Sequence, residues 1–192
     1  MVPAFLIVLL VSATASAQPF EAGIHITSAQ WSEFDGSDWG IGGRFTFRPL
    51  RFIGFDADLA WYPQEFPENP EFSRRRLEAL FGVTAGPQLG ALRPFLKASY
   101  GFVNSGSAPE PFPCIAIFPP PLSCVMAEGQ TLPAFEFGGG LQFDVGDRSF
   151  IRADITSRSL RYPGPSFSDL ELHDGDFWGA RSRLSFGAGV KF

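Results

Sequence analysis

The closing stretch of the chain, WGARSRLSFGAGVKF (residues 178–192), alternates with a period of two. Trp178, Ala180, Ser182, Leu184, Phe186, Ala188, Val190 and Phe192 form one row. Gly179, Arg181, Arg183, Ser185, Gly187, Gly189 and Lys191 form the other. Successive side chains of a strand point to opposite faces, whereas a helix would scatter both rows around its axis. The stretch therefore reads as a strand with one apolar or small face and one face of charge and glycine. It runs through Ser182–Val190 and stops at an aromatic residue, Phe192.

The same alternation recurs seven times upstream, over 20–27, 39–48, 53–62, 77–86, 96–102, 135–143 and 151–158. Phe95 and Phe150 interrupt it at the starts of the fifth and seventh segments. The connections alternate in length. Short ones fall at 49–51, 87–93 and 144–148, and longer ones at 31–38, 63–76, 104–131 and 159–176. Long loops at one end and tight turns at the other, with an even number of strands, predict an all-β fold: an eight-stranded antiparallel, up-and-down transmembrane β-barrel. Composition agrees, since 21 Gly, 17 Pro and 22 Phe in 192 residues disfavour helices and suit pleated, half-buried surfaces. The formal charge of −5 supplies no basic footprint, so nucleic acid is not an expected partner.

Alternation alone does not say which row faces inward. A soluble barrel points its apolar row inward, and a membrane barrel points it outward. Aromatic residues gather at strand ends (Trp31, Trp39, Phe47, Trp61, Phe102, Phe143, Trp178, Phe192), as interfacial girdles require. The polar rows carry the acids Glu21, Asp56, Asp58, Glu78, Glu136 and Asp154 against the bases Arg44, Arg48, Lys97, Arg152, Arg158, Arg181, Arg183 and Lys191. Both features favour the membrane arrangement, with a charged network filling the lumen. Outer-membrane lipid is then the expected surrounding, and the barrel is expected to be a monomer.

The N-terminus reads as an export signal of the Sec type. Phe5–Val11 is a continuous apolar run, followed by small residues and an Ala15-Ser16-Ala17 cleavage site. No Lys or Arg precedes Arg44, so the positive segment usual in such signals is missing. A permanent anchor is the competing reading, but the run is shorter than the ~20 residues a helical span needs. The expected division is a signal peptide over 1–17 and a barrel domain over 18–192, located in a bacterial outer membrane.

Three stretches carry a family resemblance: GSDWGIGGRFTF (36–47), Ile53–Trp61 with its Asp56 and Asp58, and SRRRLEALFGVTAG (73–86). They resemble the outer-membrane barrels related to the OmpA transmembrane domain, and more narrowly the short porin-like proteins of that group. The resemblance implies that a C-terminal aromatic strand is the signal read by the barrel-assembly machinery, and Phe192 with Val190, Ala188 and Phe186 matches it. The sequence departs from the full-length OmpA pattern by stopping at Phe192, so no peptidoglycan-binding domain is expected after the barrel.

Few residues invite a chemical role. Cys114 and Cys124 are the only cysteines, and nine residues separate them in the longest loop. In an exported chain such a pair reads as a disulfide, with two free thiols as the alternative. His25 belongs to a polar row and His173 to the last loop, and no His-x-Ser sequence occurs. His25 is read as part of the polar network, and Asp56 and Asp58 as ion-pair partners in place of a general acid and base. No cofactor or metal is expected, and the chain is read as a non-enzyme. Two functions remain open: a structural, anchoring or interaction role, or a narrow porin-like channel for small solutes or apolar molecules. The sequence names no extracellular ligand.

Overall fold

The computed structural model describes residues 19–30, 37–63, 76–106, 130–162, 166–168, 171–173 and 176–192. The export signal at 1–17, Trp31 and the Cys114–Cys124 pair lie outside the described residues. Eight strands close into an antiparallel barrel: β1 (Phe20–Gln30), β2 (Ser37–Leu50), β3 (Ile53–Tyr62), β4 (Arg76–Ala85), β5 (Leu92–Ser105), β6 (Gln130–Val145), β7 (Ser149–Tyr162) and β10 (Phe177–Lys191). Each pairs with its neighbour in sequence order, and β10 pairs with β1 to remove the last open edge. Two short strands, β8 (Ser166–Ser168) and β9 (Glu171–His173), form a separate ribbon within the segment expected to be a plain loop.

Register fixes the shape. Paired residues followed around the wall run Phe20, Phe47, Phe55, Val83, Ala98, Phe137, Ser157 and Ser182. The next step lies one past the Ala29–Arg183 pair, at Gln30, ten residues above the start. That stagger makes the strands tilt, as closure of an eight-stranded barrel requires.

The fifth and seventh strands start earlier than the alternation suggested, and the reason is physical. Phe95 and Phe150 do not break the pattern; they occupy inward positions beside Arg93, Lys97 and Arg152, and all five are buried. Each ring lies over a glycine on the adjacent strand. A methyl group added at Gly140 would sit 2.8 Å from the Phe95 ring, and one at Gly189 would sit 2.5 Å from that of Phe150. Bare backbone on one strand thus makes room for a bulky inward ring on the next.

Proline in a sheet removes a ladder donor. Pro94 lies beyond the last β4–β5 pair (Ala85–Leu96), and Pro133 beyond the last β6–β7 pair (Ala134–Leu160), so each sits where one flank is unladdered. Two of the tight turns use glycine at positive φ, Gly90 at 64° and Gly146 at 70°, where a side chain would be strained.

The two faces are inverted relative to a soluble domain. The outward rows expose Ile24, Phe45, Phe55, Phe81, Leu96, Phe137, Ile155, Leu184 and Phe186, with Trp39, Trp61, Phe102 and Trp178 towards the loop end. Buried positions are instead dominated by charge: Glu21, Arg48, Asp56, Asp58, Glu78, Lys97, Glu136, Arg152, Asp154, Arg158 and Arg183. A smaller apolar layer (Leu80, Val103, Leu132, Ala134, Leu160, Tyr162) fills the lumen near the loop end, and Phe177 packs on it with its ring 5.1 Å from that of Tyr162.

Candidate functional site in the barrel interior

Inward positions on eight strands converge on the barrel axis, so residues far apart in sequence meet there. Three polar layers stack from the turn end to the loop end.

In the first layer Glu21 of β1 is the hub. Its Oε1 lies 3.0 Å from Arg48 Nε and 3.1 Å from Arg93 Nη1, and accepts a hydrogen bond of 3.3 Å from Gln142 Nε2. Arg48 Nη2 donates to Gln142 Oε1 at 3.3 Å, and Arg93 Nη2 to Gln88 Oε1 at 2.8 Å. Lys191 pairs with Asp144 at 2.5 Å at the rim.

The second layer is built on Arg152 of β7. Its Nη2 meets Asp56 Oδ2 and its Nε meets Asp154 Oδ1, both at 2.9 Å, while its guanidinium carbon lies 4.1 Å from the Phe95 ring centroid. Arg44 Nη2 bridges Asp154 at 2.6 Å and Asp58 at 2.9 Å, and Ser185 Oγ donates to Asp154 Oδ2 at 3.0 Å.

The third layer centres on Arg183 of β10, which touches three carboxylates from three other strands. Nη2 is 3.0 Å from Asp58 Oδ1, Nη1 2.9 Å from Glu136 Oε2, and Nε 3.3 Å from Glu78 Oε1. Nε also donates to Thr27 Oγ1 at 3.0 Å. Lys97 reaches the other oxygen of Glu136 at 2.7 Å, and Arg158 pairs with Glu78. Above this layer Arg76 pairs with Asp38.

All six acids expected on the polar rows lie in these layers, together with Arg44, Arg48, Lys97, Arg152, Arg158, Arg183 and Lys191. Arg181, expected on the same row, is exposed instead, although it stands opposite the buried Arg158 in register. Gln142 stands on a polar row of the alternation but outside the expected charge set, whereas Arg76 and Arg93 stand on no alternating segment. Arg76 and Arg93 fell within stretches read as connections, although Arg93, Phe95 and Lys97 share one parity that would have extended β5 back to them.

Chemically, the arrangement holds charge in place. Each of these carboxylates faces a guanidinium or ammonium group across short distances, which lets a buried charge persist without bulk water. His25 lies on the same wall, its Nε2 3.6 Å from Asp58 Oδ1. Among the described residues no group of His, Cys, Asp and Glu has the makings of a metal site.

No family model matches the chain, and no curated protein sequence matches it. Solved structures do. Neisserial surface protein A superposes with a TM-score of 0.60 at 15% identity, over 93% of this chain and 100% of that one. The N-terminal barrel domain of Pseudomonas aeruginosa OprF gives 0.51 at 12% identity, over 90% and 97%. P. aeruginosa outer membrane protein H (OprH) gives 0.51 at 14% identity, over 90% and 99%. At such low identity the likeness is one of architecture, and it covers nearly the whole of each chain. This chain has the fold of the eight-stranded outer-membrane β-barrels.

Proposed function

We propose that this chain sits in the bacterial outer membrane as a sealed barrel, whose role is to anchor its extracellular loops and contribute to the envelope. The observation that carries this reading is the third lumenal layer. Arg183 of β10 ties Asp58 of β3, Glu78 of β4 and Glu136 of β6 together across the axis. An eight-stranded barrel has an interior just wide enough to be filled by side chains. Ion pairs that cross the axis occupy that interior, which supports a lumen closed to solute. The outward apolar rows and the tryptophans near the loop end support membrane insertion.

Conductance tests the sealed lumen against the porin-like alternative. Refolded protein in a planar bilayer is expected to give no unitary current steps, and reproducible steps would establish the channel instead. Insertion itself is read by heat-modifiable gel mobility after detergent extraction. Protein that stays soluble without detergent would reject the membrane reading.

Phe192 is proposed as the assembly signal, with the barrel-assembly machinery as its reader, and its position gives it a second duty at the seam. Its backbone N–H donates to Phe20 O at 2.9 Å, and its carbonyl accepts from Phe20 N at 3.2 Å. The Phe20 ring stacks on those of Phe47 and Phe192 at 5.2 and 6.1 Å. Deleting Phe192 is expected to cost about 1–3 kcal/mol of folded stability, from two net hydrogen bonds. The larger effect is expected on the amount of barrel that reaches the membrane in cells. Unchanged membrane levels, measured beside unfolding of the purified variant, would remove the assembly role.

A further inference from the structure

We infer that the lumen holds a specific internal water, bound between β1, β7 and β10 below His25. The site begins with missing side chains. Gly23 of β1 and Gly187 of β10 occupy inward positions beside His25, and a cavity of about 10 Å³ lies against their bare backbone. Its polar lining is Glu21, His25, Arg44, Thr46 and Arg152, and the Phe150 ring closes one side. That volume is at the lower limit for a single water.

Five buried polar atoms of the lining residues have no hydrogen-bond partner in the protein. Arg44 Nη2 and His25 Nε2 face carboxylates, which leaves Glu21 Oε2, His25 Nδ1 and Arg152 Nη1 with neither a hydrogen bond nor an ion pair. Their residues are 2%, 5% and 2% exposed, so bulk solvent does not serve them. Leaving such groups unpaired is costly, and internal waters typically answer about three of them. The chemistry of the set selects the occupant. Arg152 Nη1 only donates and Glu21 Oε2 only accepts. His25 Nε2 stands 3.6 Å from Asp58 Oδ1, beyond hydrogen-bond distance, so neither ring nitrogen is committed, and Nδ1 accepts in one neutral tautomer and donates in the other. A ligand must therefore accept from Arg152, donate to Glu21 and serve His25 in either sense, which water can do. A halide would face the Glu21 carboxylate with nothing to donate, and a metal cation would face the guanidinium groups of Arg44 and Arg152.

The site concerns this corner of the lumen and would be present in a conducting barrel as much as in a sealed one. It is tested on the unaltered protein refolded in detergent micelles. Long-lived water is expected to give cross-relaxation peaks to the His25 ring hydrogens and the Gly187 Hα protons. A high-resolution crystal structure is expected to show one density peak within hydrogen-bond distance of all three atoms. A bromide soak is expected to leave that peak without anomalous signal. Absence of both the cross-peaks and the density would overturn the inference, and so would an anomalous bromide peak there, since the ligand would then be an anion.

Discussion

Replacing Arg183 by alanine is expected to destabilise the folded barrel by roughly 3–5 kcal/mol, the cost of leaving buried charge uncompensated. Arg183 is 2% exposed and is the common partner of Asp58, Glu78 and Glu136. Removing it deletes one positive charge but strips a contact from three carboxylates on three strands. Lys97 retains its hold on Glu136, Arg158 on Glu78, and Arg44 on Asp58, which keeps the effect within that range. Arg161 provides the control. Its pair with Asp176 lies outside the lumen at the loop end, with side chains 52% and 43% exposed. An exposed pair contributes only about 0–1 kcal/mol, so Arg161→Ala is expected to fall there. Urea unfolding of both variants in the same micelles measures the contrast. A loss under about 1 kcal/mol for Arg183→Ala would show that the layer is not what holds the lumen together.

The contrast between rows was legible in the sequence because a strand has a period of two and nothing else in the chain competes with it. Ile24 and His25, or Leu184 and Arg183, are adjacent in sequence and opposite in environment. Who meets whom was not legible. Arg152 finds Asp56 across 96 residues, and Arg93 finds Glu21 across 72. Those encounters depend on the stagger of the closed sheet and on which side chains reach the axis, neither of which a single strand records. Element ends were hidden for a different reason. Phe95 is apolar yet points inward, so a rule that equates apolar with outward loses the strand one turn-ward step too late and discards Arg93 with it. The missing signal was the glycine opposite: Phe95 pairs in register with Gly140, and Phe150 with Gly189. Arg181 shows the converse limit. It has inward parity yet is exposed, although Arg158, its partner in register, is buried, so parity alone does not fix burial.

Placing an arginine at Ile24 is expected to cost about 2–4 kcal/mol in a lipid bilayer, the penalty for a charge on the outward face at mid-depth. Ile24 is the middle member of the outward row Phe20, Ala22, Ile24, Ile26 and Ser28, and at 77% it is the most exposed large apolar residue among those described. Its paired neighbours are Gly43 and Ala188, so little protein surrounds it, and whatever solvates the wall solvates this side chain. That makes the substitution a direct reading of the medium. In water an exposed isoleucine changed to arginine removes no packing and buries no charge, and surface changes of that kind usually fall within about ±0.5 kcal/mol. In hydrocarbon the same guanidinium must either be dehydrated or reach for the interface along its stem. Arginine at Ser28, one end of the same row, is the internal comparison, because the penalty falls to about 0–1 kcal/mol near the interface. Unfolding from lipid vesicles should therefore rank Ile24→Arg well below Ser28→Arg in stability. Equal stabilities would mean that the outward wall meets water at both depths, and the apolar rows would then need a protein partner to cover them.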